Sequence, residues 1–319
     1  MSNTVAKVLI FGDSHLSSKT YGGHRDYPQE SLYYLREMTR IAKENNVTHM
    51  IGLGDLTFGR FHSVEYREQV DDILEEQYKL TNGNRYELKG NHDIATYGKT
   101  ERDYYVKRGL IKPSQNIQLG AVNINMVDFG RHTDTNIIID ENMINIVLTH
   151  GYYKFKDTEL PPYGNPILLD EFSKWYGVNY IISGHIHQEH RFKGSIIKDG
   201  RCIETLFHYL PCLSRPSYIE GMMSDTGTVV ILDIRDDGTM QYNCLDVKLW
   251  DLDKSFNLVM MEKKKEHQNS ISVDISDVVE KLNNHKRTIG NPEDIIAGMT
   301  NIDVRYRDKA IELLKDANK

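Results

Sequence analysis

The chain has 319 residues and a formal net charge of −7 at pH 7, with 39% hydrophobic and 27% charged residues. This composition is that of a soluble globular protein with enough apolar sequence for a large core. No run of five or six like charges occurs, so the charge pattern does not by itself indicate a nucleic-acid-binding protein. A local basic groove or bound cations would still attract phosphate.

The cysteines and the apolar runs of the sequence indicate the cellular compartment of the protein. Cys202, Cys212 and Cys244 include no CxxC pair, which argues against a disulfide framework and against a structural zinc site. The first apolar run, residues 8–11, is too short for a signal peptide, and no stretch approaches the roughly 20 apolar residues of a membrane span. We therefore expect a cytoplasmic protein that does not enter a membrane.

Strands and helices are predicted to alternate as far as about residue 190. Runs rich in Val, Ile and Leu are followed by polar loops and by stretches with apolar residues at helical spacing. The predicted strands are residues 5–12, 47–54, 85–89, 117–119, 122–129, 145–148 and 178–183. The predicted helices are residues 31–44, 64–80 and 167–175. This alternation predicts an α/β fold with ligands bound outside the carboxyl ends of the strands.

The pattern changes in the rest of the chain. Residues 228–234 and 240–249 are predicted to be strands joined by a hairpin turn at 236–238, and this pair is expected to form a second sheet that completes a sandwich. Residues 256–270 are charged and polar and are predicted to be a linker. Residues 271–319 carry helical signals and are expected either to pack on the main domain as a helical hairpin or to dock a partner.

Five short segments with metal-ligating side chains lie at the ends of predicted strands. They are Asp13-Ser14-His15, Gly54-Asp55, Gly90-Asn91-His92-Asp93, Thr149-His150 and Gly184-His185-Ile186-His187. A single DxH or HxH pair is more often an ordinary loop or core pair than a metal site. Five such segments in order at strand ends predict one shared site, where seven oxygen and nitrogen donors surround one point.

The chemistry of these donors suits two divalent metal ions. Carboxylate, imidazole and amide groups without cysteine favour manganese, iron or zinc, with Mn²⁺ as the first choice. One ion is expected to bind Asp13, His15 and His187, the other Asn91, His150 and His185, with Asp55 bridging both. Two ions within roughly 4 Å of each other acidify a shared water to a hydroxide nucleophile and neutralise the charge that develops on phosphate. The predicted reaction is phosphoester hydrolysis.

The third segment also carries candidate catalytic residues. His92 is expected to protonate the leaving alkoxide or to steady the phosphate, with Asp93 orienting its ring. The alternative is that Asn91 and Asp93 only cap the turn that follows.

The segments resemble those of the calcineurin-like metallophosphoesterase superfamily. The matching residues are Asp13, His15, Asp55, Asn91, His92, His150, His185 and His187. The resemblance implies a four-layer α/β/β/α sandwich, extending over residues 1–255, that hydrolyses phosphoesters by attack of a metal-bridging hydroxide. It also implies the two ligand sets, namely Asp13, His15, Asp55 and His187 at the first metal and Asp55, Asn91, His150 and His185 at the second.

Within that superfamily, the chain looks most like the SbcD-type branch of DNA repair exonucleases, which work with an SMC-like ATPase. The similar residues are the segments 12–16 and 54–56, together with the helical tail after a linker. The resemblance implies a phosphodiesterase that cleaves DNA, an ATPase partner docked on the C-terminal helices, and compatibility with a homodimer. This chain differs from that branch at Phe58, because the branch commonly has a histidine three residues beyond the bridging aspartate. It also differs in the capping region of that branch, which is short or absent in this chain.

Three further residues are candidate substrate contacts. Arg60 is expected to reach a phosphate, and His62 to substitute for the histidine missing at position 58. Arg215 lies in a segment that resembles a loop which, in the repair branch, returns toward the site. A phosphatase or phosphodiesterase for a small molecule or a phosphoprotein is the alternative function, favoured by the acidic charge and by Phe58. A third alternative is a noncatalytic scaffold, but the complete ligand set argues against it.

Overall fold

The computed structural model describes residues 2–58, 62–94, 99–160, 165–218 and 225–263. By its internal contacts the chain divides into a unit Met1–Asn257 and a unit Leu258–Lys319, and only residues 258–263 of the second, which are helical, are described. The predicted helical extension, residues 271–319, therefore lies outside the described residues. Within the described ranges, every helix is too short or too polar to cross a bilayer.

The first unit consists of two large sheets with helices on one side. Its elements are β1 (Thr4–Phe11), α1 (Tyr27–Glu44), β2 (His49–Gly52), α2 (Val64–Leu80), β3 (Arg85–Glu87), α3 (Glu101–Lys107), β4 (Lys112–Pro113), β5 (Ile117–Leu119), β6 (Val122–Val127), β7 (Ile144–His150), β8 (Tyr153–Lys154), β9 (Ile167–Leu168), a 3₁₀ turn (Ser173–Trp175), β10 (Tyr180–Gly184), β11 (His190–Lys198), β12 (Arg201–Tyr209), β13 (Thr226–Arg235), β14 (Met240–Lys248) and α4 (Leu252–Ser255).

Each large sheet has six strands. The first has the order β14-β13-β1-β2-β3-β4, and the second has the order β11-β12-β10-β7-β6-β5. Strands β1 to β4 run parallel to one another, as do β6, β7, β10 and β12, while hairpin partners are antiparallel. The parallel strands therefore end at the same edge of each sheet, and these edges carry the candidate ligands.

The main core lies between the two sheets. Ile10 and Ile51 of the first sheet pack with Leu148 and Ile182 of the second, and all four are fully buried. On the other face of the first sheet, α1 contributes Met38 to a second apolar cluster. Because both faces of the central strands are covered, these strands are near-continuous apolar runs, which is why sequence analysis detects them.

The fourth layer covers the outer face of the second sheet and has little helix in the described residues. Trp175 of the 3₁₀ turn is fully buried there with Ile181 and Phe207. The predicted helix over 167–175 is wrong, because Ile167 N donates to the carbonyl of Tyr152 and starts the short strand β9 instead. Apolar residues at helical spacing also occur in a short strand followed by a turn, so periodicity alone does not separate the two. The predicted four-layer α/β sandwich is otherwise confirmed.

The predicted hairpin over 228–249 is present, but its place in the fold differs from the prediction. Strand β13 pairs antiparallel with β1, with Leu9 opposite Ile231, so the hairpin extends the first sheet. The second sheet is completed by the hairpin of β11 and β12, which was not predicted. Pairing between strands so far apart in the chain depends on long-range packing and leaves no local signal.

Helix ends follow the capping residues. Helix α1 begins before the predicted residue 31, because Asp26 accepts a hydrogen bond from Gln29 N and Pro28 lies in the first turn. Helix α2 has the predicted bounds, and its cap Ser63 accepts from Tyr66 N. Helix α3 was not predicted, although Thr100 and the third residue after it form a capping box that sequence analysis could have detected.

A buried ion pair supports the loop that follows β2. The guanidinium of Arg85 donates to Glu87 Oε2 at 2.6 Å, and Glu87 Oε1 accepts from Gly54 N at 3.3 Å. Burial raises the pKa of Glu87, and the charge of Arg85 opposes that rise. The pair therefore holds the backbone directly before Asp55 at the carboxyl edge of the first sheet.

Replacing Arg85 by methionine is expected to lower the free energy of unfolding by about 3–5 kcal/mol, because the carboxylate of Glu87 is left buried without its partner. The matched control is Arg40→Met, which removes an exposed pair with Glu37 and Glu44 and should cost less than about 1 kcal/mol. Urea unfolding of both variants checks this. Equal losses of stability would contradict the role given to the buried pair.

Candidate metal centre

The predicted ligands lie together at the carboxyl edges of the two sheets. Asp13 and His15 follow β1, Asp55 follows β2, Asn91 follows β3, His150 ends β7, and His185 and His187 follow β10. Three strands of one sheet and two of the other thus supply side chains to one place. The structure brings together all seven residues predicted from the sequence.

The first cluster contains two carboxylates and two imidazoles. One ligand atom from each of Asp13, His15, Asp55 and His187 lies within 4.8 Å of all the others. His15 Nε2 is 3.0 Å from His187 Nε2, which in turn is 3.2 Å from Asp13 Oδ2. Two imidazole nitrogens that face each other beside carboxylates are typical of a cation site.

The second cluster centres on an amide oxygen. Asn91 Oδ1 is 2.9 Å from both His150 Nε2 and His185 Nδ1. Asp55 Oδ2 lies 3.3 Å from His150 Nε2 and 3.9 Å from His15 Nε2, so this carboxylate faces both clusters. Its position is the one predicted for a bridging ligand.

The electrostatics of the carboxylates and of two imidazoles match the needs of a divalent cation. Although burial opposes it, the charge of His150 helps to hold the pKa values of Asp13 and Asp55 below the usual range, so both carboxylates are ionised. Burial lowers the pKa values of His15 and His185 to about 4, so both rings are neutral and have a lone pair to donate. His150 differs, because Asp13 and Asp55 raise its pKa to about 9 against burial, and its ring must lose a proton to bind a metal ion.

One buried oxygen also has an incomplete set of protein partners. Asp55 Oδ2 makes no hydrogen bond of good geometry within the described residues; it lies 3.3 Å from His150 Nε2, and Asp55 is 1% exposed. A buried carboxylate oxygen that is so poorly hydrogen-bonded is costly unless a cation also binds it. The donor set and this oxygen therefore fit a pair of divalent metal ions.

Four of the ligands have backbone conformations that are rare outside glycine. The φ angles are 44° at His15, 50° at Asp55, 88° at His185 and 55° at His187. Each left-handed residue costs roughly 1–3 kcal/mol and persists where the surroundings enforce it, which is most often at functional sites. The strain turns these side chains from the strand ends toward the shared site.

Gly184 provides the close approach between the two sheets. His185 N donates to Asp13 Oδ2 at 3.0 Å, and a Cβ atom on Gly184 would lie 2.2 Å from Asp13 Oδ1. Because that oxygen is held by its neighbours, a side chain at this position displaces the carboxylate. Gly184 is therefore required for ligand geometry.

The Gly184→Ala variant is expected to weaken metal binding by about 10-fold or more and to destabilise the fold by about 1–3 kcal/mol. Calorimetric metal titration and urea unfolding measure the two effects. Gly227→Ala is the matched control, because its Cβ would come only to 3.3 Å from the flexible side chain of Leu213. An unchanged metal affinity in Gly184→Ala would contradict the assignment of Asp13.

His92 lies beside the first cluster and is exposed. Its backbone N–H donates to Asp55 Oδ1 at 2.8 Å, and its ring packs edge-on against the ring of His15 at 5.1 Å between centroids. The side chain therefore reaches solvent next to the ligands without being one of them.

Asp93 has contacts other than those predicted. Its carboxylate accepts from Gly90 N at 3.0 Å and from Thr57 Oγ1 at 3.4 Å, and among the described residues no hydrogen bond joins it to the ring of His92. Burial, with the nearby charge of Asp55, raises the pKa of Asp93 to about 7. The structure thus places Asp93 in the turn that shapes the segment around Asn91, the alternative given by the sequence.

Two of the three predicted substrate contacts, His62 and Arg215, are buried in contacts away from the ligand clusters. Arg60 lies outside the described residues. His62 is buried under α2 with its ring edge-on to Tyr66, and burial lowers its pKa. Arg215 is 3% exposed, and its guanidinium donates to the carbonyl of Trp250, so it holds the chain near α4.

Two aromatic rings beside the clusters were not predicted as site residues. Phe58 packs 4.9 Å from His92, and Phe129 packs 5.8 Å from His185 and 6.0 Å from His150, measured between ring centroids. Both are half-buried. The position of Phe129 depends on the hydrogen bond from its N–H to the carbonyl of Lys89, a contact between two strand ends that no local pattern reveals.

The fold and the two ligand clusters define a metal-dependent hydrolase with a carboxylate and imidazole centre at the strand ends. The sequence model of the calcineurin-like phosphoesterase family matches residues 6–189, which include every predicted ligand, and the chain belongs to this family. It is accordingly a metal-dependent hydrolase of phosphoesters. A solved dimetal phosphatase from Danio rerio is similar, with 12% identity, coverage of 78% of this chain and 100% of that chain, and a TM-score of 0.46. No protein with a curated description matches the chain.

Proposed function

We propose that the protein is a phosphodiesterase that cleaves nucleic acid, with DNA as its substrate, in the manner of the SbcD-type nucleases. The observation that carries this proposal is the pair of aromatic rings at the two ends of the ligand set. Phe58 packs beside His15 and His92, and Phe129 beside His150 and His185. One ring therefore adjoins each metal position.

Aromatic rings beside a phosphate site favour a substrate with bases. Nucleotide bases stack on such rings whatever their sequence, and each stack contributes about 1–3 kcal/mol. Phe58 has a further ring neighbour in Tyr21, with centroids 5.0 Å apart, so an aromatic surface extends away from His92. A small phosphomonoester has no group that needs such a surface.

The ligand residues and His92 have separate roles in the proposed reaction. Divalent cations held by the two clusters supply Lewis acidity, which polarises the phosphoryl oxygen and acidifies water. Asp55 Oδ1 accepts from the backbone N–H of His92, and the rings of His15 and Phe58 pack against its imidazole, so His92 is positioned beside the ligands. His92 then donates a proton to the departing alkoxide oxygen, which would otherwise leave as a strong base.

We also propose the identity of a metal ion and of a protein partner. Mn²⁺ is the proposed ion at the second cluster, whose donors are oxygen and nitrogen only. Docking of an SMC-like ATPase on residues 271–319 and homodimer formation are proposed from the resemblance, and a cytoplasmic location is proposed from the cysteine usage. A direct test of the docking is co-purification of the ATPase with the full chain but not with a chain shortened before residue 271.

A substrate panel tests the proposed function. The purified full chain, with Mn²⁺ or with a chelator, is assayed on single- and double-stranded DNA, a chromogenic phosphodiester and a chromogenic phosphomonoester. Metal-dependent cleavage of DNA and of the diester is expected. Cleavage of the monoester alone would overturn the nuclease proposal in favour of a phosphatase.

Two aromatic variants test whether Phe58 and Phe129 stack on the bases of the substrate. Phe58→Leu and Phe129→Leu are each expected to weaken DNA binding by about 5- to 150-fold, the equivalent of one lost stack. Hydrolysis of the small chromogenic diester should change little in both. Phe172→Leu is the control, because its ring contacts His132 and Trp175 in the outer layer. Equal effects on DNA and on the small diester would contradict a stacking role.

A further inference from the structure

The loop after β12 returns to the metal centre and carries a cysteine. Leu213 N donates to the carbonyl of Asp13 at 3.1 Å, and Cys212 N donates to the carbonyl of His187 at 3.4 Å. Ser214 Oγ adds a third bond, to the carbonyl of Ser14 at 2.9 Å. The loop is thus tied to two of the three segments that supply the first cluster.

The thiol of Cys212 forms a second, overlapping group with the two imidazoles of that cluster. Cys212 is 6% exposed, and its Sγ, His15 Nε2 or Nδ1 and a ring nitrogen of His187 all lie within 4.8 Å of one another. The sulfur is also 3.2 Å from the carbonyl oxygen of Asp13. Cys212 therefore faces the same space as the nitrogen ligands.

A second feature indicates that this space suits a cation. Asp55 belongs to the overlapping group around His15 and His187, and its Oδ2 makes no hydrogen bond of good geometry within the described residues, with His150 Nε2 3.3 Å away. Asp13 Oδ2, from the first sheet, lies 3.2 Å from His187 Nε2 of the second sheet. The two carboxylates and the thiol therefore share the same pair of imidazoles.

We propose that Cys212 is a sulfur ligand of the metal ion held by Asp13, His15, Asp55 and His187. On coordination, the thiol releases its proton to solvent and a sulfur-metal bond forms. The two positions then differ, because the second has oxygen and nitrogen donors only. This inference rests on the metal centre and does not depend on the nucleic-acid substrate.

The sulfur changes which metal the first position selects. Thiolate is a soft ligand that favours zinc, cobalt or iron over manganese, whereas carboxylate and amide oxygen accept manganese. The structure thus predicts a mixed preference, with a thiophilic ion at the first position and a harder ion at the second. The sequence does not predict a sulfur ligand, because Cys212 lies in none of the five ligand segments.

Cobalt spectroscopy on the folded full chain tests the proposal. Addition of Co²⁺ should produce an intense sulfur-to-cobalt charge-transfer band in the near ultraviolet, and Cys212→Ser should abolish it while the weaker visible bands of bound Co²⁺ persist. The double variant C202S/C244S is the control, because it leaves Cys212 as the only cysteine. This variant should keep the band.

X-ray absorption provides a test that does not require the Cys212→Ser variant to fold. X-ray absorption of the Zn²⁺-loaded C202S/C244S protein should show a sulfur shell at about 2.3 Å in addition to nitrogen and oxygen at about 2.0–2.1 Å. Competition between Zn²⁺ and Mn²⁺ should show a preference for zinc that falls about 10-fold or more in Cys212→Ser. A zinc spectrum without sulfur, or a cobalt band unchanged by Cys212→Ser, would overturn the proposal.

Discussion

Replacement of Asp55 by asparagine is expected to weaken binding of both metal ions by more than about 100-fold, because loss of even an outer ligand partner costs 10- to 100-fold. Asp55 Oδ2 faces His150 of one cluster and His15 of the other, and the substitution removes the charge that both positions share. Elemental analysis after gel filtration and calorimetric titration measure the loss. Phosphodiester hydrolysis should fall with it.

The control for this variant is Asp157→Asn, which removes an exposed carboxylate from a loop outside the centre. Its metal content and activity should equal those of the wild type. Loss of only one of the two metals in Asp55→Asn would show that the carboxylate is not shared, and would contradict the bridging assignment.

The second large effect is expected for His92→Ala. General acid catalysis contributes about 10²- to 10⁴-fold, so kcat on DNA should fall by that factor. Metal content should stay unchanged, because His92 touches the ligands only through its backbone bond to Asp55 and its ring contact with His15. Steady-state kinetics and elemental analysis separate these two effects.

The leaving group distinguishes proton donation from a structural role. A nitrophenolate leaves without protonation, so His92→Ala should lose far less activity on a nitrophenyl diester than on DNA. His49→Ala, at the amino end of β2, is a control of the same residue type and should leave both rates unchanged. Equal losses on the two substrates would refute the proton-donor role.

The sequence predicts the metal ligands well because they follow buried strands of parallel sheets. Strands such as β1 and β7 are apolar on both faces, and each ligand segment begins where the apolar run ends. The carboxyl ends of parallel strands meet by necessity, so five local patterns define one place. The four ligands with positive φ could not be predicted in this way, since their strain is imposed by the surrounding packing.

Other features depend on contacts between distant parts of the chain. Cys212 reaches the first cluster because its backbone N–H donates to the carbonyl of His187 and its thiol donates to the carbonyl of Asp13, and neither residue is near it in sequence. Phe129 reaches the second cluster through its bond to Lys89. Arg215, by contrast, lies in the same returning loop as Cys212 but donates to Trp250. A motif locates that loop without telling which of its side chains faces the metals.

The contacts of polar residues that neighbour the ligands also could not be predicted from the sequence. Asp93 follows His92 directly, yet its carboxylate bonds Gly90 and Thr57. Adjacent side chains in a turn point in different directions, so proximity in sequence did not establish that one orients the other. His62 is buried against Tyr66, and Phe58 is the residue whose ring adjoins His92.

Anomalous diffraction from crystals of the Mn²⁺-loaded protein tests whether the two metal positions form one shared centre. Two anomalous peaks are expected within about 4 Å of each other, with a carboxylate oxygen of Asp55 bound to each. One peak should lie among Asp13, His15 and His187, and the other should lie beside Asn91. A single peak, or two peaks that do not share Asp55, would contradict a shared centre.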